Sequence, residues 1–115
     1  MKQFECSTRI RVKGKDSAGR DYFGRGVADL LHGVQEYHSL NLATKHMGMA
    51  YSKAWRIIRQ AEETLGISLL YRMGKNGSEL TPEGERLLNT YEEAEQKASE
   101  VVREVFEKHY REEKN

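Results

Sequence analysis

Apolar and polar positions alternate at the start of the chain, between residues 4 and 12. Phe4, Cys6 and every second residue after them are apolar or small, while charged or polar residues lie between them. A period of two with one charged face predicts a half-buried strand, with Cys6 as a small core residue. The polar, glycine-containing segment 14–19 and the short apolar run that follows it predict a turn and a return strand, so the chain is expected to begin with a β-hairpin.

The spacing of apolar residues then becomes helical and predicts a first helix over about 26–37. A short second helix is predicted from Leu42 to Met47, with Asn41 as its N-cap and Gly48 ending it. The side chains expected to pack inward from this short helix are those of Leu42, Ala43 and Met47. A third helix is predicted from Ala50 or Tyr51 to Leu65, closed by Gly66.

A short helix joined to a longer one by a tight glycine turn is typical of the helix-turn-helix. The short helix would brace the longer one, whose first turns would then protrude. Residues 37–61 contain no acid, which suits the acceptor-rich base edges and phosphates of DNA. The alternative is a solvated face of an ordinary helical protein. The protruding donors predicted to bind DNA are Tyr51, Ser52, Lys53, Arg56, Arg59 and Gln60.

A small hairpin is predicted directly after this third helix, from strand 68–73, turn 74–77 and return strand 78–80. A hairpin in this place is a wing, and its tip can reach a phosphate or the minor groove. The predicted contacts are Arg72 at the base and Lys75 and Asn76 at the tip. For Lys75, a free surface lysine is an equal alternative.

A long last helix is predicted from Pro82 onward, because Thr81 is a good N-cap and no helix breaker follows Pro82. About thirty helical residues span about 40 Å, more than the other elements can cover. An apolar seam with coiled-coil spacing predicts pairing with a second copy, the alternative being a fold-back on the same domain. Residues 107–115 are expected to fray. The predicted dimer seam consists of Leu87, Tyr91, Ala94, Ala98, Val101 and Val105.

Length and composition allow one domain with an extension, which we divide into residues 1–80 and 81–115. The fold class predicted is mainly α with a small β component. The net charge of +1 conceals an uneven distribution, since residues 1–77 hold 13 Lys and Arg against 7 Asp and Glu, and residues 78–115 hold 6 against 11. No apolar run suits a membrane span or a signal sequence, so a cytoplasmic protein is expected.

The sequence offers little support for catalysis or for a metal. None of the four histidines, His32, His38, His46 and His109, has a second histidine four residues away, and the single cysteine excludes a cysteine-rich zinc site. Carboxylates such as Glu92 and Glu95 are expected on a polar helix face. We therefore expect no enzyme, no cofactor and no metal.

Four short motifs, in their order and spacing, resemble one known family. They are YFGRG at 22–26, GMAYSKAW at 48–55, EETLG at 62–66 and LTPEGERLL at 80–88. Together they are similar to the N-terminal domain of ModE, the bacterial molybdate-responsive regulator, and more distantly to the winged helix-turn-helix of LysR-type regulators. The resemblance covers about residues 8–95. It implies a dimer formed through the last helix and bound to a two-fold DNA site.

The resemblance also implies roles for single residues. Tyr51, Ser52 and Lys53 fall on the stretch that begins the recognition helix, and Arg56 falls where LysR-type proteins often carry an arginine that reaches DNA. Trp55 would either pack under the wing or touch sugars and methyl groups. We expect no molybdate-binding domain within this sequence, so the resemblance does not imply molybdate sensing, and the predicted wing is shorter than the family's. A protein-interaction module, or a DNA-binding subunit with a separate sensor partner, is the alternative function.

Overall fold

The computed structural model describes residues 4–13, 22–72 and 77–110. The strands form two antiparallel ribbons of two strands each, β1 with β2 and β3 with β4. The mainly helical fold with a wing and a long last helix is thereby confirmed. Within the described ranges, no helix combines the length and apolar character needed to cross a membrane. The elements in chain order are β1 (Val12–Lys13), β2 (Tyr22–Phe23), α1 (Arg25–Tyr37), α2 (Leu40–Met47), α3 (Tyr51–Leu65), β3 (Leu70–Arg72), β4 (Ser78–Leu80) and α4 (Pro82–Tyr110).

The core is built around α1, whose apolar stripe meets β2, α2, α3 and the first turns of α4. Leu30, Leu31 and Val34 are completely buried. Burial of side chains of this size contributes about 1.5–3 kcal/mol each. This stripe therefore stabilises the platform against which α2 and α3 are placed. Other fully buried side chains are those of Phe23, Ile58, Leu69 and Leu88.

Two helical glycines permit close approaches that set the positions of α2 and α4. A Cβ added to Gly33 of α1 would lie 2.7 Å from the Cβ of Ala43 in α2. A Cβ added to Gly84 of α4 would overlap the carbonyl oxygen of Leu69. A larger residue at either position would push the two elements apart.

The short helix α2 starts two residues earlier than the sequence pattern predicts. Ser39, not Asn41, is its N-cap, and the Ser39 hydroxyl accepts a hydrogen bond from the Leu42 amide at 3.1 Å. The predicted inward face is wrong for Leu42 and Met47, which are exposed, and right for Ala43. Because the helix begins at Leu40, its buried face carries Leu40, Ala43 and Thr44.

Both predicted C-terminal glycines are confirmed. Gly48 after α2 and Gly66 after α3 adopt left-handed φ angles of 66° and 69°. A side chain at either position would be strained, which is why glycine ends both helices. The third helix itself has the predicted bounds, Tyr51–Leu65.

In the N-terminal segment only Val12–Lys13 pair as a strand, and residues 4–11 have no regular secondary structure. The predicted strand over 4–12 is therefore wrong, and the predicted turn at 14–19 lies outside the described residues. The alternation itself holds from Cys6 onward, where every second residue is partly buried. The partner is α4 rather than a sheet, since Thr8 Oγ1 lies 2.8 Å from Ser99 Oγ and the Phe4 ring lies 5.7 Å from that of Phe106.

The last helix begins as predicted, with Thr81 as its cap and Pro82 as its first residue. The Thr81 hydroxyl accepts a hydrogen bond from the Gly84 amide at 2.9 Å. The helix extends to Tyr110, and residues 111–115 lie outside the described residues. The stacked rings of Phe106 and Tyr110, one turn apart, pack together in this last part.

A polar cluster joins the start of α1 to the middle of α4. Arg25 forms a 2.6 Å ion pair with Glu95, which is only 9% exposed, contrary to the expected polar face. The Tyr91 hydroxyl donates to the Ile10 carbonyl at 2.9 Å and lies 3.2 Å from Glu95. Burial, and then the adjacent Glu95 carboxylate, raise the pKa of the Tyr91 phenol above its ordinary value of 10.0.

Gly84→Ala is expected to destabilise the protein, because its Cβ meets backbone rather than a side chain that can turn away. We expect a loss of about 1–3 kcal/mol in the free energy of unfolding, the magnitude typical of overpacking a core. The measurement is urea unfolding followed by circular dichroism. Gly26→Ala is the matched control, since nothing lies within 4 Å of its added Cβ and alanine favours a helix by up to about 1 kcal/mol. Equal stabilities of the two variants would contradict the close approach.

Candidate nucleic-acid interface

The outer face of α3 carries the residues predicted to bind DNA. Ala54, Ile58 and Ala61 bury the opposite face of this helix in the core. All six predicted donors on this helix are exposed. Five of them line one shallow depression together with Trp55 and Glu63, and Lys53 lies outside it; the five are Tyr51, Ser52, Arg56, Arg59 and Gln60.

The charge on this face depends on where the acids of α3 are directed. Glu62 Oε2 accepts a hydrogen bond from the Leu69 amide at 2.7 Å, so this carboxylate is held at the junction of α3 and β3. Glu63 remains at the far end of the depression. The first two and a half turns of α3 are therefore free of acid and rich in donors. The sequence pattern did not indicate the role of Glu62.

Trp55 has two surfaces with different surroundings. It is partly buried and packs against the apolar core, and it also lines the depression. The ring of Tyr51 meets it edge to face, with centroids 6.3 Å apart and planes at 84°. Of the two alternatives left open by the sequence, packing is present.

The wing is tied to the junction between α1 and α2. The Ser78 amide donates to the His38 carbonyl at 3.0 Å, and His38 Nδ1 lies 3.1 Å from Glu79 Oε1. His38 adopts a left-handed φ of 54°, and a Cβ on Gly77 would collide with its carbonyl oxygen. These contacts fix β4 relative to the helix-turn-helix, and sequence reasoning missed them because the partners are about 40 positions apart.

The structure places only part of the predicted wing contacts. Arg72 is the last residue of β3 and pairs with Ser78. Lys75 and Asn76 lie outside the described residues. The wing base is thus positioned, while the contacts of its tip remain predictions.

The histidines of this region have partners within the fold. His32 Nδ1 lies 3.6 Å from Glu92, and the ring of His46 stacks on Tyr37 with centroids 4.3 Å apart. Within 4–13, 22–72 and 77–110, the structure brings together no group of three or more His, Cys, Asp or Glu side chains that would suit a metal.

A braced helix with a donor-rich outer face, followed by a wing, defines a winged helix-turn-helix of the DNA-binding class. Residues 29–85 match the family model of the bacterial regulatory helix-turn-helix protein, lysR family. The matched segment runs from α1 through the wing to the start of α4. The chain therefore contains a LysR-type DNA-binding domain, and such a domain is that of a transcription regulator. No curated protein is found to match the chain.

Proposed function

We propose that the protein is a sequence-specific transcription regulator that binds a two-fold operator as a homodimer. The observation that carries this proposal is the acid-free outer face of the first two and a half turns of α3, with its donors exposed on a helix whose other face is buried. Duplex DNA presents mainly acceptors along its major groove and backbone, and a protruding helix of this kind fits that groove.

Each element of the site has a proposed part in this complex. The first turn of α3, with Tyr51, Ser52 and Lys53, would contact base edges. Arg56, Arg59 and Gln60 would extend the contact to further bases and phosphates. The wing residues Arg72, Lys75 and Asn76 would reach the neighbouring backbone.

The dimer is proposed to form through α4, but with a smaller seam than the sequence pattern predicts. Tyr91 is 3% exposed and packs edge to face on Phe23, so its ring is not available to a second copy. Leu87 also packs against the core of its own protomer. Val101 and Val105 are 57% and 50% exposed, and they continue a line through Ala94 and Ala98.

This remaining seam lies to one side of the contacts made by the N-terminal segment. Ser99 and Phe106, which meet that segment, project about 100° or more away from Val105 around the helix axis, given 100° per residue. The N-terminal segment therefore leaves the seam open. We propose that Ala94, Ala98, Val101 and Val105 pair with the same residues of a second copy.

Kinship with the ModE type is part of the proposal and rests on the order and spacing of the motifs at 22–26, 48–55, 62–66 and 80–88. We likewise propose a bacterial, cytoplasmic protein with a DNA-binding unit at 1–80 and a dimerisation helix at 81–115. The end of α4 also favours a second candidate, a DNA-binding subunit with a separate sensor partner. Val105, Phe106, His109 and Tyr110 line an open, partly apolar surface there that a protein partner could cover.

Selection from a random duplex library at about 150 mM salt tests the function directly. We expect enrichment of an inverted repeat with half-site centres about one helical turn, roughly 34 Å, apart. Two-fold symmetry of the enriched sites would follow from the dimer. Salt-sensitive background binding without enrichment would contradict sequence-specific recognition and favour the interaction module.

Lys53→Ala and Arg56→Ala are each expected to weaken binding to the selected site by about tenfold or more, because each removes a cationic group from the interface. The salt dependence of the binding constant should also become shallower, by about one unit of slope for each phosphate that is no longer neutralised. Fluorescence anisotropy over a salt series measures both quantities. Lys97→Ala and Arg103→Ala, exposed on α4, are the matched controls. Unchanged affinity of the α3 variants would show that the assigned face is wrong.

Val101→Glu and Val105→Glu are expected to convert the dimer to monomer, since each carboxylate would be buried without a partner. Sedimentation equilibrium should show a dissociation constant raised at least about tenfold. Arg103→Glu, exposed on the same turn of α4 and off the seam, should leave association unchanged. A parent protein that is monomeric at tens of micromolar would itself overturn the proposed dimer.

A further inference from the structure

An exposed aromatic residue opens the recognition helix. Tyr51 is the first residue of α3 and is 45% exposed, although its ring is large and mostly apolar. Its edge-to-face contact with Trp55, at 6.3 Å, holds the ring against a residue that is itself anchored on the core. The two rings, which we call the aromatic pair, therefore form a held apolar surface rather than two free side chains.

The aromatic pair borders the donors of the same depression. Ser52, Arg56 and Arg59 line the same depression. At 100° per residue, they lie more nearly opposite the buried face of α3 than the aromatic pair does. The depression thus combines groups that bind acceptors with one edge that offers apolar surface. A ligand that fits it must present acceptors next to an apolar group.

The major groove has such a combination at one base. Thymine presents its O4 acceptor next to its C5-methyl group, whereas cytosine presents an amino donor and no methyl. Donors in the depression disfavour the cytosine amino group, and the aromatic pair favours the methyl. The first residues of a recognition helix are also those that contact base edges.

We propose that the Tyr51–Trp55 aromatic pair contacts the C5-methyl group of a thymine and makes the protein specific for thymine at that position of each half-site. This inference rests on the proposed function, because it assigns one base to the same recognition face. Tyr51 supplies most of the apolar contact, and Trp55 positions the Tyr51 ring.

The test replaces each thymine of the selected operator, one at a time, by deoxyuracil, which lacks only the methyl group. At one thymine per half-site, the parent protein should bind about fourfold more weakly, the value expected when one buried methyl group is removed. Tyr51→Ala should bind the thymine and uracil duplexes equally at that position. Tyr51→Phe, which keeps the ring, should retain the discrimination.

Lys53→Ala is the matched control on the same helix turn. It should lose affinity for both duplexes while keeping their ratio, because Lys53 lies outside the depression. Thermal unfolding of Tyr51→Ala checks that the fold is intact, which its exposure leads us to expect.

Three results would overturn the inference while leaving sequence-specific binding intact. The first is a parent protein that is indifferent to uracil at every thymine. The second is a discrimination that survives in Tyr51→Ala. The third is a Tyr51→Phe variant that behaves like Tyr51→Ala, which would assign the role to the hydroxyl. Failure to enrich any operator would instead refute the proposed function, and this inference with it.

Discussion

The buried backbone of Leu69 is the point on which the arrangement of the recognition helix, the wing and the last helix depends. Its amide donates to Glu62 of α3, and its carbonyl accepts from the Thr81 amide at the start of α4. Gly84 lets α4 pass directly over the same carbonyl. A buried peptide N–H or C=O without a hydrogen-bond partner lowers the free energy of unfolding. Removing either partner of Leu69 would therefore leave one of its buried backbone groups unsatisfied. Leu69 thus links the end of α3 to the start of α4.

The placement of acids explains how a nearly neutral chain can present a basic face. Glu62, Glu79 and Glu95 are each held by a partner within the fold, at the α3–β3 junction, at His38 and at Arg25. These carboxylates stabilise junctions between elements rather than adding negative charge to the outer face of α3. Net charge is thus a poor guide to the surface, and the local distribution decides what that surface attracts.

The sequence predicts local features well and long-range partners poorly. Gly48, Gly66 and the Thr81–Pro82 start of α4 follow from backbone chemistry at single positions, so they are predicted correctly. The start of α2 is not, because Ser39 and Asn41 are both good caps and only packing decides between them.

Tertiary context explains the other differences. Alternation over 4–12 indicates which residues face the protein but not whether a sheet or a helix covers them. In this structure the helix α4 covers them. An apolar seam with heptad spacing likewise does not show whether its residues pack within the protomer or against a second copy. Tyr91 is therefore predicted in the dimer seam, although its ring packs in the core of its own protomer. Burial of Glu95 depends on Arg25, which is 70 positions away and brought near only by folding.

The two ends of α4 have different physical supports, and this connects dimerisation with recognition of DNA. Its first turns are held by the core and by Leu69, while its distal half extends past the core with the N-terminal segment along one side. An isolated helix of that length is marginal in water, so the distal half gains from any further apolar packing. Pairing through Val101 and Val105 would supply such packing. Because α4 is one continuous helix in each protomer, pairing of the distal halves would fix the distance between the two Leu69 junctions. That distance would set the separation of the two α3 helices, which decides the half-site spacing that the dimer can recognise.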